Sequence, residues 1–134
     1  MPKLSIVIPC FNNAENITDL QISLEALSKQ LSGYEFEIIL VDDGSKDETY
    51  NKLLQFSATS TLKTIVVKLT GNFGSYNAFL AGLHHGTGDV YAQVHPDMQD
   101  PPEHLADMLP HWQSGIKFVI GQRIACLLYT SRCV

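Results

Sequence analysis

The chain has 134 residues, the size of one domain, and its 45% apolar composition is enough to bury a core. A net charge of −5, with no basic run and no interleaving of aromatic and basic residues, excludes nucleic acid as the main partner. Three scattered cysteines (Cys10, Cys126, Cys133) exclude a disulfide frame and a Cys/His zinc cluster, and no apolar run reaches the roughly 20 residues that span a bilayer.

The N-terminus runs from Met1 straight into a strand without a secretory apolar region. The chain is therefore expected in the cytoplasm, or at the cytoplasmic face of a membrane within a longer protein. Leu4 to Pro9 is a short apolar run, read as a buried parallel strand, and Cys10 to Asn13 turn the chain. Ile17, Leu20, Leu24, Leu27 and Leu31 recur at helical spacing, and the helix they predict ends near Ser32-Gly33. Phe36 to Val41 is the second strand, ending in Asp42-Asp43-Gly44-Ser45. Ser45 and Glu48 have the spacing of a capping box, so a second helix is expected to start there, with Leu53, Leu54 and Phe56 on its apolar side.

Leu62 to Leu69 reads as a third strand. Gly71 to Gly74 is a loop, and Ser75 to His84 a small-residue helix on which Tyr76, Phe79 and Leu83 have the spacing of core positions. Gly86-Thr87-Gly88 turns the chain into a fourth strand, Asp89 to Val94. Asp100 can cap the next helix, with Pro101 in its first turn and Glu103 three residues on. That helix carries Leu105, Met108, Leu109 and Trp112 and stops at Ser114-Gly115, and Ile116 to Ile120 is expected as a fifth strand. Strands alternating with helices imply an α/β fold, three layers with an open, mostly parallel sheet at the centre, over residues 1–124. Residues 125–134 show no period and no caps and read as a tail of doubtful character.

In an open parallel sheet, ligands bind beyond the carboxyl ends of the strands. Three polar clusters fall at such ends: Phe11-Asn12-Asn13, Asp42-Asp43, and His95 with Asp97 and Gln99. His95, Asp97 and Gln99 alternate, so an extended backbone would point all three to one side as a cation site. Each cluster alone is equally ordinary as turn and cap chemistry. The signal lies in their convergence on one edge of one sheet. The histidines at 84, 85, 104 and 111 read as helix-end or surface residues. Gly71 to Gly74 lacks the Gly-Lys-Ser/Thr of a phosphate loop, and Gly86-Thr87-Gly88 does not complete a dinucleotide fingerprint.

Four stretches, in this order and spacing, resemble the nucleotide-sugar-binding half of family 2 glycosyltransferases of the GT-A fold. They are Ile6 to Ile17, Ile39 to Thr49, Asn72 to Ala78, and Asp97 to Glu103, covering the chain from Leu4 to about Arg123. The segment from Gln99 to Glu103 is most similar to the polyprenyl-phosphate sugar transferase branch. The resemblance implies that Pro9, Phe11 and Asn12 border the base and ribose, with Asp42 against them and Asp43 beside it. It implies that Asn72 and Gly74 bring the next loop near the nucleotide, and that Arg123 approaches donor or acceptor. His95 and Asp97 take the outer positions of the family's Asp-x-Asp motif, which holds a divalent metal on the diphosphate, with Gln99 in support.

Two residues depart from the family pattern. Asn13 stands where many members have Glu. His95 stands where the first motif Asp would be, and histidine suits Mn²⁺ better than Mg²⁺. Asp97 is the main expected ligand, with His95 either a second ligand or a bystander. The implied activity is metal-assisted, inverting transfer of a sugar from a UDP- or GDP-linked donor to a polyprenyl phosphate or saccharide acceptor. A sugar-nucleotide-binding domain without transferase activity is the alternative, and no catalytic base is assigned.

Overall fold

A computed structural model describes residues 1–121. Contacts divide the chain into two compact units, one ending at Glu103 and one beginning at His104. The first holds β1 (Lys3–Cys10), α1 (Ile17–Gln30), β2 (Glu35–Asp42), α2 (Thr49–Thr59), β3 (Lys63–Lys68), α3 (Ser75–Leu83) and β4 (Val90–Gln93). The four strands form one parallel sheet in the order β3-β2-β1-β4. The fold is α/β, and every helix expected between these strands is present.

Alternation along the strands assigns the faces. Val7, Ile39 and Val41 share one face with Ile65 and Val67, and Ala78, Phe79 and Leu83 of α3 pack against them. Gly82 makes the close approach possible, because a Cβ there would lie 2.4 Å from Val7 Cγ1. The opposite face carries Ile6, Ile8, Ile38 and Leu40, all fully buried, and belongs to α2 and to α1, whose Leu20, Leu24 and Leu27 are buried too. The central strands β1 and β2 are thus buried on both faces, which is why they read as unbroken apolar runs.

β4 is an edge strand of the described sheet, with Tyr91 and Gln93 exposed on one face. Three expectations change. Tyr76 is 72% exposed and is no core residue, because the face of α3 turned to the sheet is built on Ala78 and Gly82. Helix α2 begins at Thr49 rather than Ser45, because the hydroxyl of Ser45 accepts the Asn12 N–H instead of capping a helix. A 3₁₀ turn (Pro102–His104) crosses the boundary in the chain and leads into α4 (Leu105–Gln113) of the second unit, which stops before Gly115 at φ +108°. Beyond it the expected fifth strand does not form: Ile116, Phe118 and Ile120 are exposed, and strand-like alternation without a ladder to join leaves the segment irregular.

Candidate functional site

The sheet order reverses direction between β1 and β4. The chain leaves β1 toward β2 and β3 on one side and returns to β4 on the other. Loops at the carboxyl ends of two such strands diverge and leave a crevice. A cleft of about 160 Å³ lies there, lined by Pro9, Cys10, Phe11, Asn13, Asp43, Ser75, His95, Pro96 and Asp97. It is smaller than the roughly 300 Å³ at which pockets for whole small molecules begin. Its size suits part of a ligand.

The structure brings Pro9, Phe11, Asp43, His95 and Asp97 to this cleft. Asn12, Asp42, Asn72, Gly74 and Gln99 are not in its lining, and Arg123 lies outside the described residues. The adjacent carboxylates of Asp42 and Asp43 part because successive strand-end side chains point to opposite faces. Asp42 turns to the α2 side, where its Oδ1 accepts the Ser45 N–H at 3.1 Å and its Oδ2 lies 3.4 Å from Lys68 Nζ. Lys68 is its register partner on β3 and sits over the ring of Tyr50 in α2, 4.4 Å from the centroid. Asp43, 2% exposed, turns to the other side and accepts the Phe73 N–H at 2.8 Å, which ties the loop before α3 to the cleft.

The backbone after β4 does not stay extended. It turns at Pro96-Asp97, Met98 takes φ +62°, and the Asp97 carboxylate accepts the Gln99 N–H at 3.2 Å. His95, Asp97 and Gln99 therefore do not share one side: His95 and Asp97 line the cleft and Gln99 does not.

The loop after β1 is stitched to the loop after β2. Phe11 N–H donates to Asn13 Oδ1 (2.8 Å), Asn12 N–H to Ser45 Oγ (2.9 Å), Asn13 N–H to Thr49 Oγ1 (2.8 Å) and Ala14 N–H to Asp47 Oδ2 (3.4 Å). Lys46 N–H returns a bond to Asn12 Oδ1 at 2.9 Å. Four consecutive amides are thus already committed to side chains. The loop cannot cradle a phosphate with its backbone, as the corresponding turn of a dinucleotide-binding fold does.

Cys10 is buried in the cleft wall, and that burial together with the nearby Asp42 charge pushes its thiol well above the ordinary range, so it stays protonated and inert. The acids in the lining are Asp43 and Asp97. A diphosphate entering here needs a positive partner, and a divalent cation is one. Among the described residues no three His, Cys, Asp or Glu gather into a protein-only cage. Cations that carry diphosphates commonly take one or two protein donors and complete their shell with water and phosphate oxygens. His95 and Asp97 fit that donor set. Asn13 belongs to the first of the polar clusters, whereas Cys10, Ser75 and Pro96 line the cleft without having been expected there. Their signal was adjacency to residues that were expected, and for Ser75 its place as the first residue of α3, just past Gly74 at φ +90°.

The model of the family described as Glycosyl transferase family 2 matches residues 5–132. A prophage bactoprenol glucosyl transferase homolog of Escherichia coli K12 is 36% identical over 121 residues, 90% of this chain and 39% of the relative. An undecaprenyl-phosphate 4-deoxy-4-formamido-L-arabinose transferase of Enterobacter sp. strain 638 is 35% identical over 117 residues, 87% of this chain and 36% of that protein. The chain thus spans under two fifths of the length of these relatives. Among solved structures, residues 1–349 of TarS from S. aureus in complex with UDP-GlcNAc superpose with a TM-score of 0.60 at 28% identity, over 71% of this chain and 26% of that 1–349 chain. With its parallel GT-A sheet and the family match running nearly end to end, the chain belongs to glycosyl transferase family 2.

Proposed function

We propose that this chain is the nucleotide-sugar-binding part of an inverting, metal-assisted transferase that moves a sugar from a nucleoside-diphosphate donor to a polyprenyl phosphate. The observation that carries the reading is the cleft at the β1/β4 switch point, where Phe11 and Asp43 face the turn bearing His95 and Asp97. Phe11, 42% exposed, offers a ring edge to a base or ribose, and Asp43 an acceptor for hydroxyl or N–H groups. Asn12, Asp42, Asn72, Gly74 and Gln99, with Arg123 beyond the described residues, complete the proposed donor site. Asp97 and His95 would hold the cation. When bound, it supplies Lewis-acid stabilisation of the departing diphosphate.

The relatives' names support the acceptor class, and so does chemistry. A phosphate monoester is already an anion at neutral pH and needs no general base, whereas a sugar hydroxyl does. Asp43 is committed to the Phe73 amide, which leaves it poorly placed to remove a proton. Among the described residues no helix is long and apolar enough to cross a membrane. The residues 1–124 make up the proposed domain.

The test is thermal melting with UDP and with GDP, each with Mn²⁺ and with Mg²⁺. A ligand at 100 times its Kd stabilises the native state by about 2.7 kcal/mol, a rise of several degrees in midpoint. A rise with one nucleotide and Mn²⁺ is expected. Four unchanged midpoints would sink the reading.

A further inference from the structure

The wall of the cleft made by Phe11 and Asn13 is held by a chain of hydrogen bonds that begins outside it. Thr49, the first residue of α2, is fully buried. Its hydroxyl donates to Asp47 Oδ1, and its N–H donates to the same oxygen at 2.9 Å. With the hydroxyl proton so directed, Oγ1 turns its lone pairs to the Asn13 N–H, 2.8 Å away. Asn13 Oδ1 in turn accepts the Phe11 N–H at 2.8 Å. Both Phe11 and Asn13 line the cleft, and Thr49 does not. A valine at 49 would fill the same space with neither donor nor acceptor.

The geometry points to Thr49 as a positioning residue: through Asn13 it fixes the Phe11 wall of the cleft, and thereby the affinity for a nucleoside diphosphate. This rests on the function proposed above. Asp47 is the anchor of the relay, and its hydrogen bonds, the one from the Thr49 hydroxyl foremost, lower its carboxyl below the ordinary range, so the anchor stays anionic at neutral pH. The parallel tie through Asn12, Ser45 and Lys46 is separate and holds the loop's outer side. Loss of the Thr49 relay therefore loosens the wall without unfolding the loop.

The experiment compares the parent chain, Thr49→Val, Thr49→Ser and Thr87→Ala. The last removes a hydroxyl at the far end of the sheet and serves as a control for simple loss of stability. Two readouts are taken: amide hydrogen exchange at Phe11, Asn12 and Asn13, and calorimetric Kd for UDP and GDP with Mn²⁺. Thr49→Val is expected to speed exchange at Phe11 and Asn13 but not Asn12, and to weaken binding about tenfold, as loss of one buried hydrogen bond implies. Thr49→Ser restores both, and Thr87→Ala changes neither. Unaltered exchange at Phe11 and Asn13 in Thr49→Val overturns the proposal, as does equal weakening by Thr87→Ala. If the parent binds neither nucleotide, the sugar-nucleotide reading falls, and the exchange pattern alone decides the role of Thr49.

Discussion

At the scale of single residues, the site depends on close backbone approaches as much as on charged groups. Gly44 has φ +74°, and a Cβ there would stand 2.5 Å from Gly71 C and 2.6 Å from Asn72 N. Left-handed strain and a backbone clash act together, so Gly44→Ala is expected to cost about 2–4 kcal/mol and to push the 71–74 loop from the cleft, read as a lower denaturation midpoint and weaker nucleotide binding. His95 carries a sharper prediction. An oxygen ligand in its place suits Mg²⁺, so His95→Asp should raise Mg²⁺-supported nucleotide affinity by about tenfold while changing the Mn²⁺ value less. Identical metal preference in the two proteins would show that His95 is no ligand and would favour a binding domain without transfer chemistry. Asp43 and Asp97 were legible in the sequence because their clusters fall at the carboxyl ends of strands of one sheet, although a carboxylate after a strand is by itself ordinary turn and cap chemistry. The division of labour between Asp42 and Asp43 was not. It follows from which face each side chain takes at the last rung of β2, and from the presence of Lys68 at the matching rung of β3.

At the scale of elements, apolar periodicity located four strands and four helices, since both faces of β1 and β2 are buried and α1 shows a regular leucine stripe. Its failures share a cause: local pattern does not say who the partner is. Ser45 and Glu48 have capping-box spacing, but Asn12 takes the Ser45 hydroxyl from across the loop, and α2 starts at Thr49. Ile116, Phe118 and Ile120 alternate like a strand and have no ladder. Tyr76 has the spacing of a core residue but lies on the exposed side of α3, because the contact face of that helix is set by its smallest residues. Gly82 tests this last point. Helix propensity alone makes Gly82→Ala favourable by about 1 kcal/mol. Yet the new Cβ would sit 2.4 Å from Val7 Cγ1 and 3.0 Å from Val41 Cγ2, and overpacking of a filled interface costs about 1–3 kcal/mol. Packing wins, so urea unfolding should show the variant less stable than the parent. A more stable Gly82→Ala would mean that α3 can move away from β1 and β2.

At the scale of the molecule, the two ends of the sheet are built for opposite tasks. The carboxyl end carries the cleft. The amino end is closed by Glu37, whose carboxylate is fully buried in a row that crosses three strands: Ser5, Glu37 and Lys63 are register partners on β1, β2 and β3. Ser5 Oγ donates to it at 2.7 Å, Thr87 through N–H at 2.8 Å and Oγ1 at 3.0 Å, and Lys63 Nζ lies 3.0 Å away. Thr87 belongs to the turn that leads into β4, so one carboxylate joins all four strands. Burial by itself would raise its pKa, but the hydrogen bonds from Thr87 and Ser5 and the Lys63 ion pair together outweigh it and hold the group at about 2, against an ordinary 4.5. A depressed folded-state pKa contributes stability that is fully present above the unfolded value and is lost as pH falls through the folded one. The window runs from about pH 5 down to pH 2, and the contribution at neutral pH is on the order of 3 kcal/mol. Acid should therefore open the sheet from its amino end. Glu37→Gln is expected to be less stable at pH 7 and to lose less on acidification to pH 3, so that the two proteins converge as pH drops. Parallel pH–stability curves for parent and variant would show that Glu37 titrates alike in both states and that some other carboxylate governs acid unfolding.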